Sequence, residues 1–406
     1  MLNGKWTDFI TDFLTFTENQ VSPEIHRKWA GISCLAGALE RRVWVRAGEL
    51  INYPNLYIIL VAPPGTGKYV IETVRELWTD TVKPNTEIPA FHIAPDSVTR
   101  ASLIDDLSDA KCSFIPPTSP IYTYHALLVP SEEFEILMPG YDPHFIASFN
   151  SFFNAKPYHR ETRRYGHRQN VEIVRPLLHV LAGTTPSYYN RFPDDAWNTG
   201  LIRRIIMVYA SDPPYKDLFQ SSIDRTEERK RLLHRLAQLS SLYGQATWEN
   251  DSWKLIEDWH RKGEQPLLTH SRLTYYNRTR AQFILKLSLV SAVSRLGVPT
   301  IEPSDVIRAM EWLFEAEAQM PSIFRAMQGK SDGALLEELW HFVQAVWNKH
   351  RLPTQTSQMK RFLSIRAPED KIDGLIRLAE GTDMIVRKAG TEDLWLPRPK
   401  DQHGME

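Results

Sequence analysis

A short glycine-containing loop between a predicted strand and a predicted helix is the strongest chemical signal in the sequence. The apolar residues 56–62 predict a buried strand that leads directly into this loop. Such a loop turns backbone N–H groups inward and begins a helix whose N-terminal dipole favours anions, while a lysine adds positive charge for the outer phosphates. We therefore expect nucleotide phosphates to bind here, with these residues as the ligands: Pro64, Gly65, Thr66, Gly67, Lys68 and Tyr69.

Two positions in this loop differ from the usual pattern G-x-x-x-x-G-K-[ST]. Ala62 stands at the first glycine, and Tyr69 stands where a serine or threonine hydroxyl would hold Mg²⁺. A phenol is too long to take the place of that hydroxyl. The sequence therefore supports phosphate binding more strongly than efficient hydrolysis.

An acidic pair follows the next predicted strand. Residues 126–129 are apolar, and Glu132 and Glu133 come shortly after them. Phosphoryl transfer to water needs one acidic group near the metal ion and another that polarises the attacking water. We expect Glu132 to help hold Mg²⁺ and Glu133 to act as the catalytic base. The alternative is an exposed acidic turn after a strand.

Two further predicted strands carry polar residues that suit the same chemistry. Thr184 follows the apolar residues 177–182, where a hydroxyl could sense the γ-phosphate. Arg204, with Arg203 as its substitute, precedes the apolar residues 205–210, and we expect it to stabilise transition-state charge on the nucleotide of a neighbouring subunit. The alternatives are a hydroxyl that only ends a strand and arginines in surface ion pairs.

A basic segment lies between the acidic pair and Thr184. Residues 156–168 hold five lysine or arginine side chains against one glutamate, with two interleaved tyrosines. Cations neutralise phosphates and aromatic rings stack on bases, as a channel for single-stranded DNA requires. An ordinary solvated loop is the alternative. The predicted DNA contacts are Lys156, Arg160, Arg163, Arg164 and Arg168.

The composition is that of a chain with more than one packed domain. Its 406 residues are 42% hydrophobic, and the formal net charge of −1 means that any DNA-binding charge must be concentrated locally. The only cysteines, Cys34 and Cys112, are too few for a disulfide framework, which fits a reducing cytoplasm. We expect neither an export signal nor a membrane span, because the sequence has no long apolar run.

The order of the apolar and amphipathic segments predicts an α/β fold, with a mainly parallel sheet between helices. We expect an N-terminal helical segment at 1–50, a P-loop NTPase core at 51–223 and a helical lid or connector at 224–328. Residues 332–400 are predicted to form a winged helix, because three helical segments precede a hairpin around 389–392. In that module DNA contact and protein docking are equally open.

With these residues in place, the chain resembles the phage and prophage primase-helicase-type P-loop ATPases, which are relatives of ring-forming replicative helicases of the AAA+ and RecA-like classes. The resemblance rests on the order of motifs across residues 20–315. Beyond the motifs above, it includes residues 26–29, the run ALERRVWV at 38–45, residues 53–57 and residues 94–100.

The resemblance implies a hexameric ATPase that uses ATP and Mg²⁺ to move on DNA during replication of a mobile element in a bacterial cytoplasm. The basic segment would line the pore, and other replication proteins would be partners. No primase zinc site is evident, so any priming activity would reside elsewhere. The alternative is a nucleotide-binding replication initiator or helicase loader with little or no hydrolysis, which Tyr69 favours.

Overall fold

The computed structural model describes residues 6–95, 100–116, 120–140, 142–165, 167–193, 196–197, 200–211, 224–327, 332–364, 366–367, 369–391 and 393–398. The chain forms two compact units, Met1–Phe324 and Arg325–Glu406. Each is described by itself.

The first unit contains most of the helices and strands. Its helices are α1 (Phe9–Phe16), α2 (Glu24–Leu39), α3 (Val70–Asp80), α4 (Arg100–Asp109), α5 (Phe134–Leu137), α6 (Pro143–Phe153), α7 (Thr226–Leu239), α8 (Trp253–Arg261), α9 (Arg280–Leu296) and α10 (Pro303–Met327), the last of which runs into the second unit. Its strands are β1 (Val43–Ala47), β2 (Leu50–Asn52), β3 (Tyr57–Val61), β4 (Lys111–Phe114), β5 (Tyr122–Ser131), β6 (Tyr158–Tyr165), β7 (His167–Val174), β8 (Pro176–Thr184), β9 (Ile205–Tyr209), β10 (Gly244–Gln245), β11 (Thr247–Trp248) and β12 (Thr300–Ile301). Short 3₁₀ helices occur at Pro186–Arg191, Ile202–Arg204, Ser271–Leu273 and Tyr276–Thr279.

A five-stranded sheet with the order β4-β5-β8-β3-β9 forms the centre of this unit. The strands β5, β8, β3 and β9 are parallel, and β4 is an antiparallel edge strand. All residues of β3 and β8 are buried, which explains why the central strands are continuous apolar runs in the sequence. The parallel strands all end at one edge, here called the carboxyl edge, and begin at the amino edge.

Helices α2 and α3 pack together against this sheet. The Trp78 indole of α3 donates a hydrogen bond of 3.0 Å to the carbonyl oxygen of Cys34 in α2. Trp29 and Trp78 are both fully buried. The apolar residues along α2 are therefore part of the core that supports the sheet.

The prediction that the chain is helical up to residue 50 was wrong from residue 43 onward. Strands β1, β2 and β10 form a three-stranded sheet there. Val43 and Val45 are buried while Trp44 between them is only partly so, a period of two that belongs to a strand. Residues 224–327 are largely helical as predicted, with Pro303 at the start of α10, but the short strands β10, β11 and β12 were not foreseen.

The second unit consists of three helices and a small antiparallel sheet in its described residues. They are α11 (Asp332–His350), α12 (Thr356–Ser364), α13 (Glu369–Gly381), β13 (Thr354–Gln355), β14 (Ile385–Arg387) and β15 (Leu394–Pro397), with the sheet order β13-β15-β14. A buried cluster that includes Leu339, Met359 and Ile385 joins these elements. The three helices and the hairpin occur in the predicted order, and their interpretation as a winged helix stays a prediction.

Among the residues that the structure describes, no helix combines the length and the apolar composition needed to cross a membrane.

Candidate phosphate-binding site

The glycine-containing loop connects the carboxyl end of β3 to the first turn of α3. Gly65 and Gly67 have φ angles of +80° and +79°, which glycine adopts at little cost. Within the described part of the chain, the backbone N–H groups of Gly65, Gly67 and Lys68 donate to no other group. The loop therefore presents free donors at a helix N-terminus, an arrangement that favours an anion.

The segment between α1 and α2 supports this loop. We call residues 20–22 the strap. The Ser22 hydroxyl donates a hydrogen bond of 2.5 Å to the carbonyl oxygen of Gly67, and the Gln20 amide donates one of 2.7 Å to the Thr73 hydroxyl. A Cβ atom at Gly67 would lie only 1.5 Å from the Val21 carbonyl oxygen. The strap thus fixes the loop backbone by direct contact, and the contact requires glycine at 67.

Ser22→Ala should weaken nucleotide binding without unfolding the protein. The change removes one hydrogen bond to the loop, so we expect the Kd for ATP to rise about 2- to 10-fold. Titration of a fluorescent ATP analogue measures this effect, with Ser357→Ala at an exposed serine of the second unit as the control. An unchanged Kd for Ser22→Ala would show that the strap does not position the loop.

Lys68 lies between the loop and the end of β8. Its Nζ donates a hydrogen bond of 3.3 Å to the carbonyl oxygen of Thr184. Burial lowers the pKa of this ammonium group, and the negative charges of three nearby glutamates oppose the shift: Glu135, Glu133 and Glu132. The predicted phosphate ligand and the predicted acidic pair therefore share one electrostatic environment at the carboxyl edge.

Gly183 allows Lys68 to pass close to the strands. A Cβ atom at Gly183 would lie 2.6 Å from the carbonyl oxygen of Glu132 and 2.9 Å from Cδ of Lys68. Only glycine leaves this space open. The sequence suggested the Thr184 hydroxyl as the important feature of this strand end, and it missed the role of the neighbouring glycine.

Thr184 is buried and its hydroxyl donates a hydrogen bond of 2.9 Å to Oε1 of Glu135. Glu135 lies in the first turn of α5, two residues after Glu133. Sequence reasoning stopped at the acidic pair and missed this third carboxylate, although its position directly after the pair was a usable signal. The predicted sensor hydroxyl is thus held in place by a carboxylate that no pattern assigned.

Glu132 and Glu133 are exposed where β5 ends. Partial burial raises the pKa of Glu132, and the charges of Glu72 and Glu133 add to that shift. Arg75 opposes it; this arginine pairs with Glu72 at 3.2 Å. Glu72, from the first turn of α3, was also missed by sequence reasoning.

The site fits a phosphate group better than a bare metal ion. In the described residues no three histidine, cysteine, aspartate or glutamate side chains are grouped to hold a metal. Mg²⁺ is usually held by one or two carboxylates together with substrate phosphates, so Glu132 could serve only with a nucleotide bound. Tyr69 is 56% exposed at the start of α3, and the nearby Thr66 hydroxyl donates instead to the Pro63 carbonyl at 2.8 Å. No hydroxyl of this loop therefore replaces the expected metal ligand.

The two predicted arginines lie at the amino edge, before β9. Ile205 pairs with Tyr57 at the start of β3, so about 16 Å of strand separates the arginines from the loop of their own chain. Arg204 is 8% exposed and turned inward. It donates hydrogen bonds to Asn150, Asn154 and the Gly200 carbonyl.

Arg203 is held less tightly than Arg204 in the described part of the chain. Its side chain is half-buried, and its Nε has no hydrogen-bond partner among the described residues. Burial and the charge of Arg203 lower the pKa of Arg204 to about 10, so the inner guanidinium stays charged at neutral pH. The role of either arginine stays a prediction, and the contacts of Arg204 within its own chain favour Arg203 for it.

The basic segment forms a hairpin instead of a loop. Strands β6 and β7 pair from Tyr158 opposite Val174 to Tyr165 opposite His167. Lys156 is exposed before the hairpin, and Arg160 forms an ion pair of 2.8 Å with Glu172. The backbones of Arg163, Arg164 and Arg168 lie in the two strands, but their side chains fall outside the described part of the structure. The hairpin leads directly into β8 through Arg175.

Two buried histidines make the fold sensitive to acid. His26 lies behind the loop with Nε2 3.1 Å from the Val208 carbonyl oxygen, and burial lowers its pKa to about 4. Burial likewise lowers the pKa of His179 to about 3. Its Nε2 lies 2.8 Å from the hydroxyl oxygen of Ser33. The charged imidazole would lose its hydration in both places.

The unfolded chain therefore takes up these two protons first, near pH 6.5. The stability that the neutral rings provide is complete above that pH and is lost as the pH falls toward the folded values. We expect about 2 kcal/mol per histidine to be lost at pH 5. Denaturant unfolding at pH 7 and pH 5 checks this, with His179→Gln reducing the difference and His92→Gln, at an exposed histidine, leaving it unchanged. Equal stability at both pH values would contradict the expectation.

No protein-family model matches the chain, and no curated protein matches it at a significant level. Function is therefore inferred from the residues of the site and their geometry.

Proposed function

We propose that the chain is an ATP-dependent, ring-forming replicative DNA helicase or translocase of a phage or mobile element, with a P-loop NTPase core. ATP would bind the loop around Lys68. Mg²⁺ bound with it would neutralise phosphate charge, with Glu132 as its protein contact. The chain would act as a homo-oligomer, most simply a hexamer, around single-stranded DNA.

One observation carries this proposal. A loop with free N–H donors, Lys68, the pair Glu132 and Glu133, and Thr184 meet at the carboxyl edge, while Arg203 lies at the opposite edge. An arginine about 16 Å of strand away does not serve its own phosphate site. It suits the site of an adjacent copy, which is how ring ATPases complete their active sites.

The chain's own residues have separable roles in this proposal. Lys68 supplies a positive charge for the phosphates, and its link to the Thr184 carbonyl ties the loop to β8. Glu133, exposed beyond β5, orients the attacking water and accepts its proton. Thr184 reports nucleotide state to Glu135 through their hydrogen bond. Arg203 stabilises the charge that develops at the neighbouring site.

The hairpin β6–β7 is the proposed DNA contact. It precedes β8, the strand that ends at Thr184, so a change at the phosphate site has a direct covalent path to the hairpin. The second unit supports DNA contact less well. Three of its basic residues are in ion pairs, Lys360 with Asp373, Arg366 with Glu338 and Arg387 with Glu380.

A subunit-mixing experiment tests the arrangement. Glu133→Gln removes the base and leaves Arg203 intact, whereas Arg203→Ala does the reverse. Each variant alone should hydrolyse ATP poorly. When the two are mixed and reassembled on single-stranded DNA, some interfaces combine an intact Glu133 with an intact Arg203 from the adjacent copy, so activity should return.

Arg204→Ala is the matched comparison. Arg204 is bound within its own chain, so its loss should lower thermal stability and should not be rescued by mixing with Glu133→Gln. If the mixture of Glu133→Gln and Arg203→Ala stayed inactive although oligomers formed, the shared active site would have to be abandoned. Imaging with an ATP analogue and forked DNA would then decide whether any ring encircles a strand.

Tyr69 supports a second candidate function, a replication initiator or helicase loader that uses ATP as a structural ligand. The exposed phenol stands where a hydroxyl ligand for Mg²⁺ is expected. Tyr69→Ser should raise Mg²⁺-dependent ATP turnover if this position limits a motor. No gain in turnover, together with tight ATP binding, would favour the binding protein.

A further inference from the structure

A second concave site lies at the amino edge of the central sheet, far from the loop of Lys68. It is a cleft of about 590 Å³, within the usual size range of sites for small organic ligands. Residues from the start of β5, from β4 and from the segment after α7 line it. The phosphate site does not use any of these residues.

Three aromatic rings form the walls of the cleft. The ring of Phe114 lies 4.9 Å from that of Tyr243 at 59° and 6.1 Å from that of Tyr124 at 73°. The rings are therefore tilted against each other instead of stacked. The Tyr124 ring is also held in place, because its hydroxyl donates a hydrogen bond of 2.5 Å to Glu40.

Positive charge and an unused donor line the same cleft. Arg42 is buried and paired with Glu40 at 2.7 Å, but its Nε has no hydrogen-bond partner among the described residues. Lys83 is half-buried in the wall, and no ion-pair partner for it is found in the described part of the chain. A buried N–H donor without an acceptor is costly, so a ligand that brings an acceptor would be favoured.

The combination excludes some ligand classes. Aromatic rings alone would also suit a quaternary ammonium group, but Arg42 and Lys83 would repel it. Burial raises the pKa of the Cys112 thiol in the wall to about 12, so this cysteine stays protonated and is a poor nucleophile or metal ligand. The cleft is therefore suited to binding an aromatic anion.

We propose that this cleft binds a nucleobase that carries a 5′-phosphate, with the base against the partly exposed rings of Phe114 and Tyr243 and the phosphate near Lys83. Aromatic faces accept any base by stacking, and a lysine is a good partner for phosphate. The ligand is either a free mononucleotide or one base of a DNA strand.

The surroundings of the cleft give a reason to test the strand as well as the mononucleotide. Tyr122 lies 5.4 Å from Phe114, and the guanidinium of Arg175 lies 4.6 Å above the Tyr122 ring. The Arg175 backbone N–H donates a hydrogen bond of 2.7 Å to the Pro157 carbonyl oxygen at the base of the hairpin β6–β7. An aromatic and cationic surface thus connects the cleft with the proposed DNA contact.

Calorimetric titration of the full chain with 5′-dAMP and, separately, with a twelve-nucleotide deoxyadenosine strand tests the proposal. The protein carries Lys68→Ala so that the phosphate loop contributes little. Lys83→Glu and Tyr243→Ala should each lower the affinity for the ligand that binds by at least about tenfold. Lys262→Glu, a charge reversal at an exposed lysine after α8, should leave the affinity unchanged.

If 5′-dAMP binds, the free mononucleotide is a ligand; if only the strand binds, the ligand is a base of DNA. Either result supports the proposal, provided that Lys83→Glu weakens the binding. Lys83→Gln at the same half-buried side chain keeps the test decisive if Tyr243→Ala does not fold. The proposal is overturned if neither ligand binds, if the cleft variants bind as the parent does, or if ribose 5-phosphate binds as tightly as 5′-dAMP. Because Lys68 is absent throughout, either result leaves the proposed ATPase to be judged by its own experiment.

Discussion

Glu133→Gln should reduce ATP turnover by about 10²- to 10⁴-fold while the Kd for ATP changes little. Glutamine has the size of glutamate and can still accept a hydrogen bond, but it cannot take a proton from the attacking water. Glu133 is exposed at the end of β5 and contributes to the field at Lys68, so the change acts at the reacting edge and not on the core. Phosphate release with and without single-stranded DNA measures the effect.

Glu135→Gln is the matched control for this prediction. Its side chain accepts a hydrogen bond of 2.9 Å from the Thr184 hydroxyl, and the side-chain carbonyl of glutamine can accept the same hydrogen bond. We expect the Glu135 variant to lose less than about tenfold in turnover. Parental turnover in Glu133→Gln, or a larger loss in Glu135→Gln, would move the role of base away from Glu133.

Gly67→Ala should abolish measurable ATP binding, whereas Gly65→Ala should weaken it only moderately. Both residues have φ near +80°, so alanine costs about 1–2 kcal/mol of backbone strain at either position. The two differ in their surroundings. A Cβ at Gly67 would collide with the Val21 carbonyl at 1.5 Å, whereas a Cβ at Gly65 meets nothing within 4 Å.

The comparison isolates the contact between loop and strap. We expect Gly67→Ala to displace either the strap or the loop and so to lower nucleotide affinity at least about tenfold more than Gly65→Ala does, on the scale of a steric conflict in a packed region. Binding of a fluorescent ATP analogue measures both, and circular dichroism verifies that each variant folds. Equal losses in the two variants would mean that backbone strain alone matters and that the strap is incidental.

The buried strands of the central sheet were predictable to within a few residues, and the polar strands of the hairpin β6–β7 were not. Strands β3, β5, β8 and β9 are buried, so each appears in the sequence as an apolar run. The hairpin β6–β7 has the opposite character. Its first strand reads YHRETRRY, and it pairs mainly with its own partner strand, so no apolar pattern identifies it. No strand pair was predicted there for that reason.

The candidate site was likewise predictable only where its residues are contiguous in the sequence. The loop around Lys68 was recognisable because contiguous residues build a strand, a turn and a helix start. The pair Glu132 and Glu133 was recognisable because it directly follows a buried strand. Arg204 was preferred over Arg203, although the fold turns Arg204 inward onto Asn150 and Asn154. Adjacent arginines look alike in a sequence, and only packing tells them apart.

The sequence by itself determined the glycine-containing loop around Lys68, the apolar strands and the acidic pair, because each depends on residues that are neighbours along the chain. The tertiary structure alone decided the strap on Gly67, the bond between Thr184 and Glu135, the orientation of the two arginines and the aromatic cleft at the amino edge. Those features join residues from distant segments. Their geometry follows from the close packing of helices and strands, which local preferences of the chain do not encode.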